Sequence, residues 1–448
     1  MEFRVAAQIF PGGARIEHRG CEAVRTLSFK ASNEADSTLQ RLLADGAKSF
    51  SELVIGGRGR FPTEVLEFLE SCRTGNGAYA GIIDSMIVEA RTASAEAELP
   101  QGRGLALPHP IDAEWRFTEE TADKLVRTAV AATQAGESIL LMGVPSVVLA
   151  AAQSQDDRKY WVCGEQNIIT DGLKQITAYD PRFHHDIANE SHAAAAVVDP
   201  PWYLDQFGGM LSQASHHCRM GAHIFASTPA EDVRPGIVDD LVQITETATQ
   251  SGLELDNEEP AVLVYRTPFF EVNALRAAGI GAWLPNWRRG NLTIYRKRLM
   301  GRECPVADKV PAFELTLSGI RLRLLGWDDD AQVEFAPLYE GEIFPSVSMR
   351  ATRRPEASLW TSGNRAFIAP RGLTLAAMLE VASERHLLPK GLGPELLRSR
   401  NRYSIDAVRP LIQKVIELAD RELAEAASIV GSAAWERSAN DARFLNVF

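Results

Sequence analysis

The sequence predicts an α/β fold for the middle of the chain, with a mostly parallel sheet covered by helices on both faces. From about residue 137 to 300, short apolar segments alternate regularly with helical ones. Several of these segments are apolar throughout, which is typical of strands buried on both faces of a parallel sheet. The last two strands are expected to form an antiparallel edge pair. The predicted strands are 138–142, 160–163, 176–179, 194–198, 222–226, 262–265 and 292–295.

On either side of this region, the regular alternation of strands and helices is missing. Before it lie a strand-like piece at 24–29, helical stretches at 37–44 and 62–71, a linker rich in proline and glycine at 100–115 and an amphipathic helix at 118–135. After it come a hairpin at 313–324, a β-rich stretch at 342–368 and a helical tail. We therefore predict a mixed α/β region over 1–115, the central α/β domain over 116–303, and a β-rich, then helical accessory domain over 304–448.

Composition and charge narrow the function classes. The chain has 448 residues and a formal net charge of −12. Because phosphate neutralisation supplies much of the affinity for nucleic acid, such a substrate would need a local basic patch or a partner. Neither a membrane span nor a signal peptide is indicated. The five cysteines are scattered without a C-x-x-C pair, which indicates free thiols in the cytoplasm.

The most specific feature is the segment VVDPPWY at 197–203. A buried strand ends in Asp199, and the pair Pro200-Pro201 fixes φ and cannot extend the strand. The backbone is therefore stiff at the carboxyl end of the strand, the edge where ligands bind in open α/β sheets. Trp202 and Tyr203 then open a helix. The alternative interpretation is a rigid turn with a packed tryptophan.

This segment resembles motif IV of S-adenosylmethionine-dependent amino-methyltransferases, which reads Asp/Asn/Ser-Pro-Pro-aromatic. The resemblance covers roughly residues 137–300 and implies a Rossmann-like class I methyltransferase core. It implies a catalytic segment in which Asp199 and the Pro200 carbonyl accept hydrogen bonds from an exocyclic amine, next to Pro201, while Trp202 stacks on the base. Such positioning is chemically sensible, because an arylamine is a poor nucleophile until its lone pair leaves conjugation.

The same family binds its cofactor with a loop after the first strand and with acids after the second and third strands. Here Gly143 and Pro145 stand in the loop position, although the G-x-G pattern is missing. Glu165 follows the second predicted strand, where a carboxylate would bind the ribose hydroxyls. Asp180 follows the third, where it would meet the adenine amine. The expected cofactor is S-adenosylmethionine.

The order of the motifs leaves donor and acceptor open. The DPPW spelling looks like that of adenosine N6-methyltransferases, in which it precedes the cofactor loop; here the loop comes first, as in ribosomal RNA guanine-N2 methyltransferases. Branched-chain polyamine synthases carry a similar segment and use decarboxylated S-adenosylmethionine. We expect methyl transfer to an exocyclic amine, and adenine N6 in nucleic acid is the acceptor that we favour. Two alternatives stay open: a small-molecule amine or aminopropyl transferase, and a non-catalytic binding or assembly protein.

A basic segment accompanies the last predicted strand. Residues 286–302 contain six basic side chains and no acid. Arginine beside tryptophan and tyrosine binds phosphate and stacks on bases, so a substrate surface is expected here. A charged edge strand is the alternative, and a protein partner or a homo-oligomer also stays open. The predicted substrate contacts are Tyr203, Trp287, Arg288, Arg289 and Arg296.

Metal and hydrolase chemistry are not indicated. Six of the nine histidines fall between His184 and His223, but their spacing matches no zinc pattern. A G-x-S-x-G nucleophile turn is also missing from the sequence. No metal is therefore expected.

Overall fold

The computed structural model describes residues 37–73, 79–92, 105–163, 168–185, 192–302 without 232, 235 and 283, 312–326, 333–387 and 402–430. These residues form two sheets with flanking helices. None of the helices in the described ranges is long and apolar enough to cross a bilayer. The helices are α1 (37–44), α2 (Phe50–Gly56), α3 (Pro62–Arg73), α4 (Ala80–Arg91), α5 (Glu119–Ala131), α6 (Pro145–Gln153), α7 (Ile168–Ile176), α8 (Leu204–His217), α9 (Ile237–Gln250), α10 (Phe269–Ala277), α11 (Arg371–Glu384) and α12 (Ile405–Val430).

The central sheet has the strand order β4-β3-β2-β5-β6-β8-β7-β1. Strands β2 to β6 pair in parallel, and β8 lies between β6 and β7, antiparallel to both. This is the strand arrangement of the Rossmann-like class I methyltransferase fold, so the predicted fold is confirmed. Its strands are β1 (Arg116–Phe117), β2 (Ser138–Met142), β3 (Lys159–Cys163), β4 (Phe183–His184), β5 (Ala193–Val198), β6 (Cys218–Thr228), β7 (Leu253–Arg266) and β8 (Arg289–Lys297).

The composition of β5 explains its central place. The strand is four alanines followed by two valines, and all six residues are buried. Small side chains let helices pack closely on the sheet, and α5 and α8 both contact this strand. Helix α5 begins after Thr118, whose side chain accepts a hydrogen bond from the Thr121 amide. Strand β5 therefore delivers Asp199 to the carboxyl edge of the sheet.

Two details of the predicted sheet are wrong. Residues 176–179 are not a strand: they form the end of α7 and a turn, and β4 is Phe183–His184. The apolar spacing was helical, since the Thr177 hydroxyl donates to the Leu173 carbonyl at 2.8 Å in the last turn. The last two strands are antiparallel, but they do not form the edge. Strand β8 is largely buried inside the sheet, and β1 covers the outer side of β7.

Residues after 311 build a second, antiparallel sheet in the order β11-β13-β12-β10-β9. Helices α11 and α12 pack against it through a shared apolar core. The hairpin expected at 313–324 is present as β9 and β10. The predicted strand at 24–29 lies outside the described residues, and the three-part division of the chain stays a prediction. The strands are β9 (Ala312–Leu317), β10 (Ile320–Leu325), β11 (Ala336–Pro337), β12 (Leu359–Thr361) and β13 (Ala366–Ile368).

A buried ion cluster ties the segment before β1 to this second sheet. Arg321 of β10 is fully buried, and its guanidinium donates to the carboxylates of Asp112, Glu114 and Glu314 at 2.6 to 2.9 Å. Arg323 also pairs with Asp112. The two arginines hold the pKa of the Asp112 carboxyl well below its usual range, against the opposing effect of burial. The stretch that leads into the central sheet is therefore anchored by the C-terminal sheet.

Candidate active site

Two neighbouring parallel strands bring Gly143 and Asp199 together. The Asp199 amide donates to the carbonyl of Met142, the last residue of β2, at 3.1 Å. Gly143 has a φ of +69°, and a Cβ atom on it would lie 3.0 Å from the Asp199 carbonyl oxygen and 2.8 Å from Met210 Cε. A glycine is therefore required here by both conformation and space. Gly143, the glycine that stands in the position of the family's G-x-G loop, therefore lies against the D-P-P segment.

Helix α6 starts directly after this glycine turn. Pro145 occupies its first turn, and Val144 before it gives no side-chain cap. The first amides of the helix therefore have no partner from a capping side chain. Gly143 itself is exposed, whereas Pro145 is buried. The turn thus presents an accessible stretch of backbone beside Asp199.

The Asp199 carboxyl is held by a short chain of hydroxyls. Tyr265 Oη donates to Asp199 Oδ1 at 2.6 Å, and Ser227 Oγ lies 2.5 Å from the same Tyr265 oxygen. The residue as a whole is partly exposed, yet its carboxyl lies deep. Burial raises the pKa of Asp199 to about 7, while Tyr265, Arg288 and Ser227 act in the opposite direction. The carboxyl is therefore poised to exchange a proton near neutral pH.

Aromatic rings surround the arginine that faces this carboxyl. The guanidinium carbon of Arg288 lies 4.2 Å from the ring centroid of Trp202 and 4.4 Å from that of Trp115. Tyr265 meets Trp202 edge-on at 5.9 Å. Among the described residues, none makes a hydrogen bond or an ion pair with the Arg288 guanidinium. Within these described residues, ring faces and not an ion pair hold Arg288.

A second buried carboxyl lies close by, on α10. Glu271 is only 2% exposed, and its Oε2 has no hydrogen-bond partner in the part of the chain that the structure describes. Burial raises the pKa of Glu271 to about 7, and the charge of Arg288 opposes that rise. Within the described part of the chain, the two side chains form no ion pair. Glu271 is therefore a buried carboxyl without a partner, next to the ring-held arginine.

The C-terminal part of the chain covers the residues after the D-P-P segment. The Met349 amide donates to the Tyr203 hydroxyl at 3.0 Å. Arg350 lies 5.8 Å from the Tyr203 ring centroid and pairs with Asp240 of α9 at 3.0 Å. Arg234 pairs with the same carboxylate. Tyr203 therefore packs against the C-terminal part and is not a free substrate platform.

The structure brings most of the predicted residues to one edge. The residues that meet there are Gly143, Pro145, Asp199, Pro200, Pro201, Trp202, Tyr203, Arg288 and Arg289. Trp202 is 8% exposed, and Arg288 covers one of its faces. Glu165, the proposed ribose ligand, lies outside the described residues, so its role stays a prediction.

Three of the predicted residues are not available as ligand contacts at this edge. Asp180 precedes β4 instead of following it, so it lies at the amino edge, where its carboxylate holds Arg182 at 2.7 Å. Trp287 is completely buried and packs on Phe61 and Trp115. Arg296 lies seven residues beyond Arg289 on β8, roughly 20 Å along the strand. The direction of each strand and the packing of the core decided these placements, and neither is visible in residue spacing.

The basic segment at 286–302 does not form a continuous surface. Arg296 pairs with His223 and Asp256, and Arg298 with Glu254 on the neighbouring strand. Lys297 is 3% exposed and donates to two backbone carbonyls at the end of α8. Alternate residues of a strand point to opposite faces, so one run of basic letters is divided between the two sides of the sheet.

Sequence reasoning missed four residues of the site. Tyr265 and Ser227 lie near the carboxyl ends of β7 and β6, and this common edge is the signal that could have found them. Trp115 stands in the linker, and nothing in its local sequence shows that it returns to Arg288. Glu271 lies in an ordinary helical stretch, and only its burial in the folded chain distinguishes it.

No protein-family model and no curated protein matches the chain. Among solved structures, the chain is similar to the branched-chain polyamine synthase from Thermus thermophilus, with 14% identity, 64% of this chain and 96% of that chain covered, and a TM-score of 0.45. It is also similar to a TehB-like SAM-dependent methyltransferase from Corynebacterium glutamicum, with 15% identity, 40% and 88% coverage, and a TM-score of 0.27. Because these similarities are weak, the residues of the chain itself have to carry the functional interpretation.

Proposed function

We propose that the chain transfers a methyl group from S-adenosylmethionine to an amine that Asp199 holds. The observation that carries this proposal is the contact between the Gly143 turn and the Asp199 backbone at the carboxyl edge of a class I methyltransferase fold. In open α/β sheets this edge is the place for ligands. Donor and acceptor would therefore meet between β2 and β5.

The donor would lie over the Gly143 turn and the start of α6. The exposed glycine and the uncapped first amides of the helix fit a ligand that approaches the backbone closely. Glu165 is the proposed partner of the ribose hydroxyls. S-adenosylmethionine supplies an electrophilic methyl group on a sulfonium centre.

Asp199 and its neighbours would orient the acceptor. In its ionised form, Asp199 accepts a hydrogen bond from the acceptor N–H, and the Pro200 carbonyl accepts a second. Both bonds aim the nitrogen lone pair at the methyl carbon. As the N–C bond forms, the C–S bond breaks with its electrons on sulfur, and the amine becomes cationic. A carboxyl with a pKa of about 7 can take the proton that the nitrogen then releases.

We consider two acceptors, adenine N6 in nucleic acid and a small amine. Adenine N6 in nucleic acid is the acceptor that the DPPW segment implies, with Trp202 as the stacking ring. This proposal requires Arg288 to leave the Trp202 face, and it lacks a continuous basic surface in the described residues. A small amine is favoured by the unpartnered buried Glu271 and by the net charge of −12. Cytoplasmic location and a protein partner or homo-oligomer stay predictions.

Calorimetric titration with S-adenosylmethionine and S-adenosylhomocysteine tests the donor. We expect micromolar binding to the wild-type chain and a loss of binding in Glu165→Ala, with Glu137→Ala on the opposite edge as the matched control. Radiolabelled methyl transfer to DNA, RNA and a panel of small amines then tests the acceptor, with Asp199→Ala as the inactive variant. Transfer that survives in Asp199→Ala would exclude the proposed site. A folded chain that binds no donor would favour the non-catalytic alternative.

A further inference from the structure

The surroundings of Arg288 have the chemistry of a site for a cation. The ring centroids of Trp115 and Trp202 lie 4.4 and 4.2 Å from its guanidinium carbon. Asp199 and Glu271 are the carboxyls whose charges act on it. Ring faces and carboxylates both attract positive charge. The guanidinium of Arg288 nevertheless forms no hydrogen bond there with any of the described residues.

Glu271 shows that this site is incomplete. The residue is only 2% exposed, and none of the described residues forms a hydrogen bond with its Oε2. The charge of Arg288 acts on the Glu271 carboxyl, but none of the described residues forms an ion pair with it. A buried carboxyl without a partner is costly and calls for a specific explanation, and a ligand that pairs with it is one.

We propose that Glu271, with the faces of Trp115 and Trp202, forms a cation subsite beside Asp199, and that the acceptor carries a second, positively charged nitrogen that binds there. This inference rests on the proposed function, because Asp199 is taken to hold the reacting nitrogen. Arg288 occupies the ring faces when no acceptor is bound and leaves them when the second nitrogen enters. The substrate class is therefore an amine with two nitrogen centres, one that reacts and one that anchors.

Binding of simple amines tests the subsite without any turnover. The probes are butylamine, with one nitrogen, and 1,3-diaminopropane, 1,4-diaminobutane and 1,5-diaminopentane, with two, titrated calorimetrically in the presence of S-adenosylhomocysteine. We expect at least one diamine to bind tenfold or more tightly than butylamine. In Glu271→Gln this preference should disappear, while the affinity for butylamine stays within about twofold. Glu254→Gln, an exposed carboxylate on β7 that pairs with Arg298, is the matched control and should keep the preference.

A second variant moves the affinity in the opposite direction. Arg288→Met removes the competing cation but keeps the apolar stem, so we expect diamines to bind several-fold more tightly. This gain cannot result from a poorly folded sample. Equal affinities for butylamine and the diamines in the wild-type chain, or a diamine preference that Glu271→Gln retains, would overturn the proposal. Because these titrations measure amines, failed donor binding combined with a Glu271-dependent diamine preference would reject the proposed methyl transfer and leave the subsite standing.

Discussion

Tyr265 donates a hydrogen bond to Asp199 Oδ1 at 2.6 Å and at the same time lies 2.5 Å from the Ser227 hydroxyl. The two hydroxyls come from β7 and β6, so three strands contribute to one hydrogen-bonded chain. Such an arrangement fixes the carboxyl of Asp199 in a single orientation. It also stabilises the ionised carboxylate, against the effect of burial on its pKa.

Removal of the Tyr265 hydroxyl should weaken the fold more at alkaline pH than at acid pH. In Tyr265→Phe the ionised Asp199 loses its donor, and a hydrogen bond to a charged group contributes about 1.5–3 kcal/mol. At pH 5 the protonated carboxyl loses only a neutral bond of about 1 kcal/mol. Urea denaturation at pH 5 and pH 8 measures the difference. Tyr295→Phe, which removes a hydroxyl from β8, is the control, and an equal loss at both pH values in Tyr265→Phe would contradict the prediction.

Asp199→Asn should gain stability relative to the wild-type chain as the pH rises. The pKa of Asp199 is raised from 3.8 to about 7 in the folded state, so its stabilising contribution is present below pH 4 and is lost as the pH passes 7. One pKa unit corresponds to about 1.4 kcal/mol, and partial exposure reduces the total, so we expect a relative gain of about 1–2 kcal/mol between pH 5 and pH 8.

Chemical denaturation across this pH range checks the gain of Asp199→Asn. The exposed Asp205 provides the control, as Asp205→Asn. A constant difference between Asp199→Asn and the wild-type chain from pH 5 to pH 8 would show that Asp199 does not titrate there. Glu271, whose pKa is also raised to about 7, leaves a residual slope in both proteins.

Gly143→Ala should disturb the site, whereas Gly136→Ala should not. Both glycines have a positive φ, of +69° and +77°, so both variants carry the strain of an alanine in this conformation, about 1 kcal/mol. Only at Gly143 would the new Cβ meet the Asp199 carbonyl oxygen and Met210. We therefore expect donor affinity to fall at least tenfold in Gly143→Ala alone. Thermal unfolding measures the stability of both variants, and calorimetric titration measures their donor affinity. Equal donor affinity in the two variants would show that the Gly143 turn does not take part in donor binding.

Lys297 should act on stability and not on nucleic-acid binding. Its buried ammonium donates to the carbonyls of Ser215 and Cys218 at the end of α8, where backbone carbonyls lack the full set of helical partners. Lys297→Met should lower the free energy of unfolding by about 2 kcal/mol and leave the affinity for a duplex oligonucleotide unchanged. The exposed Lys159 gives the control variant, Lys159→Met. If duplex binding by Lys297→Met depended less on salt than that of the wild-type chain, Lys297 would contact phosphate, which would contradict the prediction.

Arg321→Met should destabilise the chain strongly. The substitution leaves the carboxylates of Asp112, Glu114 and Glu314 without their shared cation, and the loss of one partner from a buried ion pair costs about 3–5 kcal/mol. Arg353, which pairs with Glu356 at the surface, provides the matched control, and Arg353→Met should have no measurable effect. Urea denaturation at pH 7 compares the two, and similar midpoints would contradict the importance of the cluster.

The strand-to-helix order of the central sheet was predictable because its elements carry their signals locally. The apolar run of β2 is one example, because the strand predicted at 138–142 has the same bounds in the structure. The mistaken strand at 176–179 shows the limit of this approach. Ile176 closes an amphipathic helix, and an apolar residue gives the same signal in a short helix and in a short strand.

The site was less predictable than the fold, because its residues come from distant parts of the sequence. Asp199 was recognisable from the motif. Tyr265 reaches Asp199, and Trp115 and Glu271 come near Arg288, only after the strands have paired in an order that differs from their order in the chain. The basic letters from Arg288 to Arg298 were misleading for the same reason. A strand sends successive side chains to opposite faces, and the acids of β7 neutralise part of the run.

The place of Trp115 makes the second sheet a structural support of the candidate site. This ring lies over the guanidinium of Arg288. The residue directly before it, Glu114, forms an ion pair with Arg321 of the second sheet. The ring therefore takes its position in part from the second sheet. Shortening the chain after residue 311 would remove this anchor from Trp115 instead of leaving an intact candidate site. Substitutions in the second sheet can thus change the surroundings of Arg288 without touching Arg288 itself.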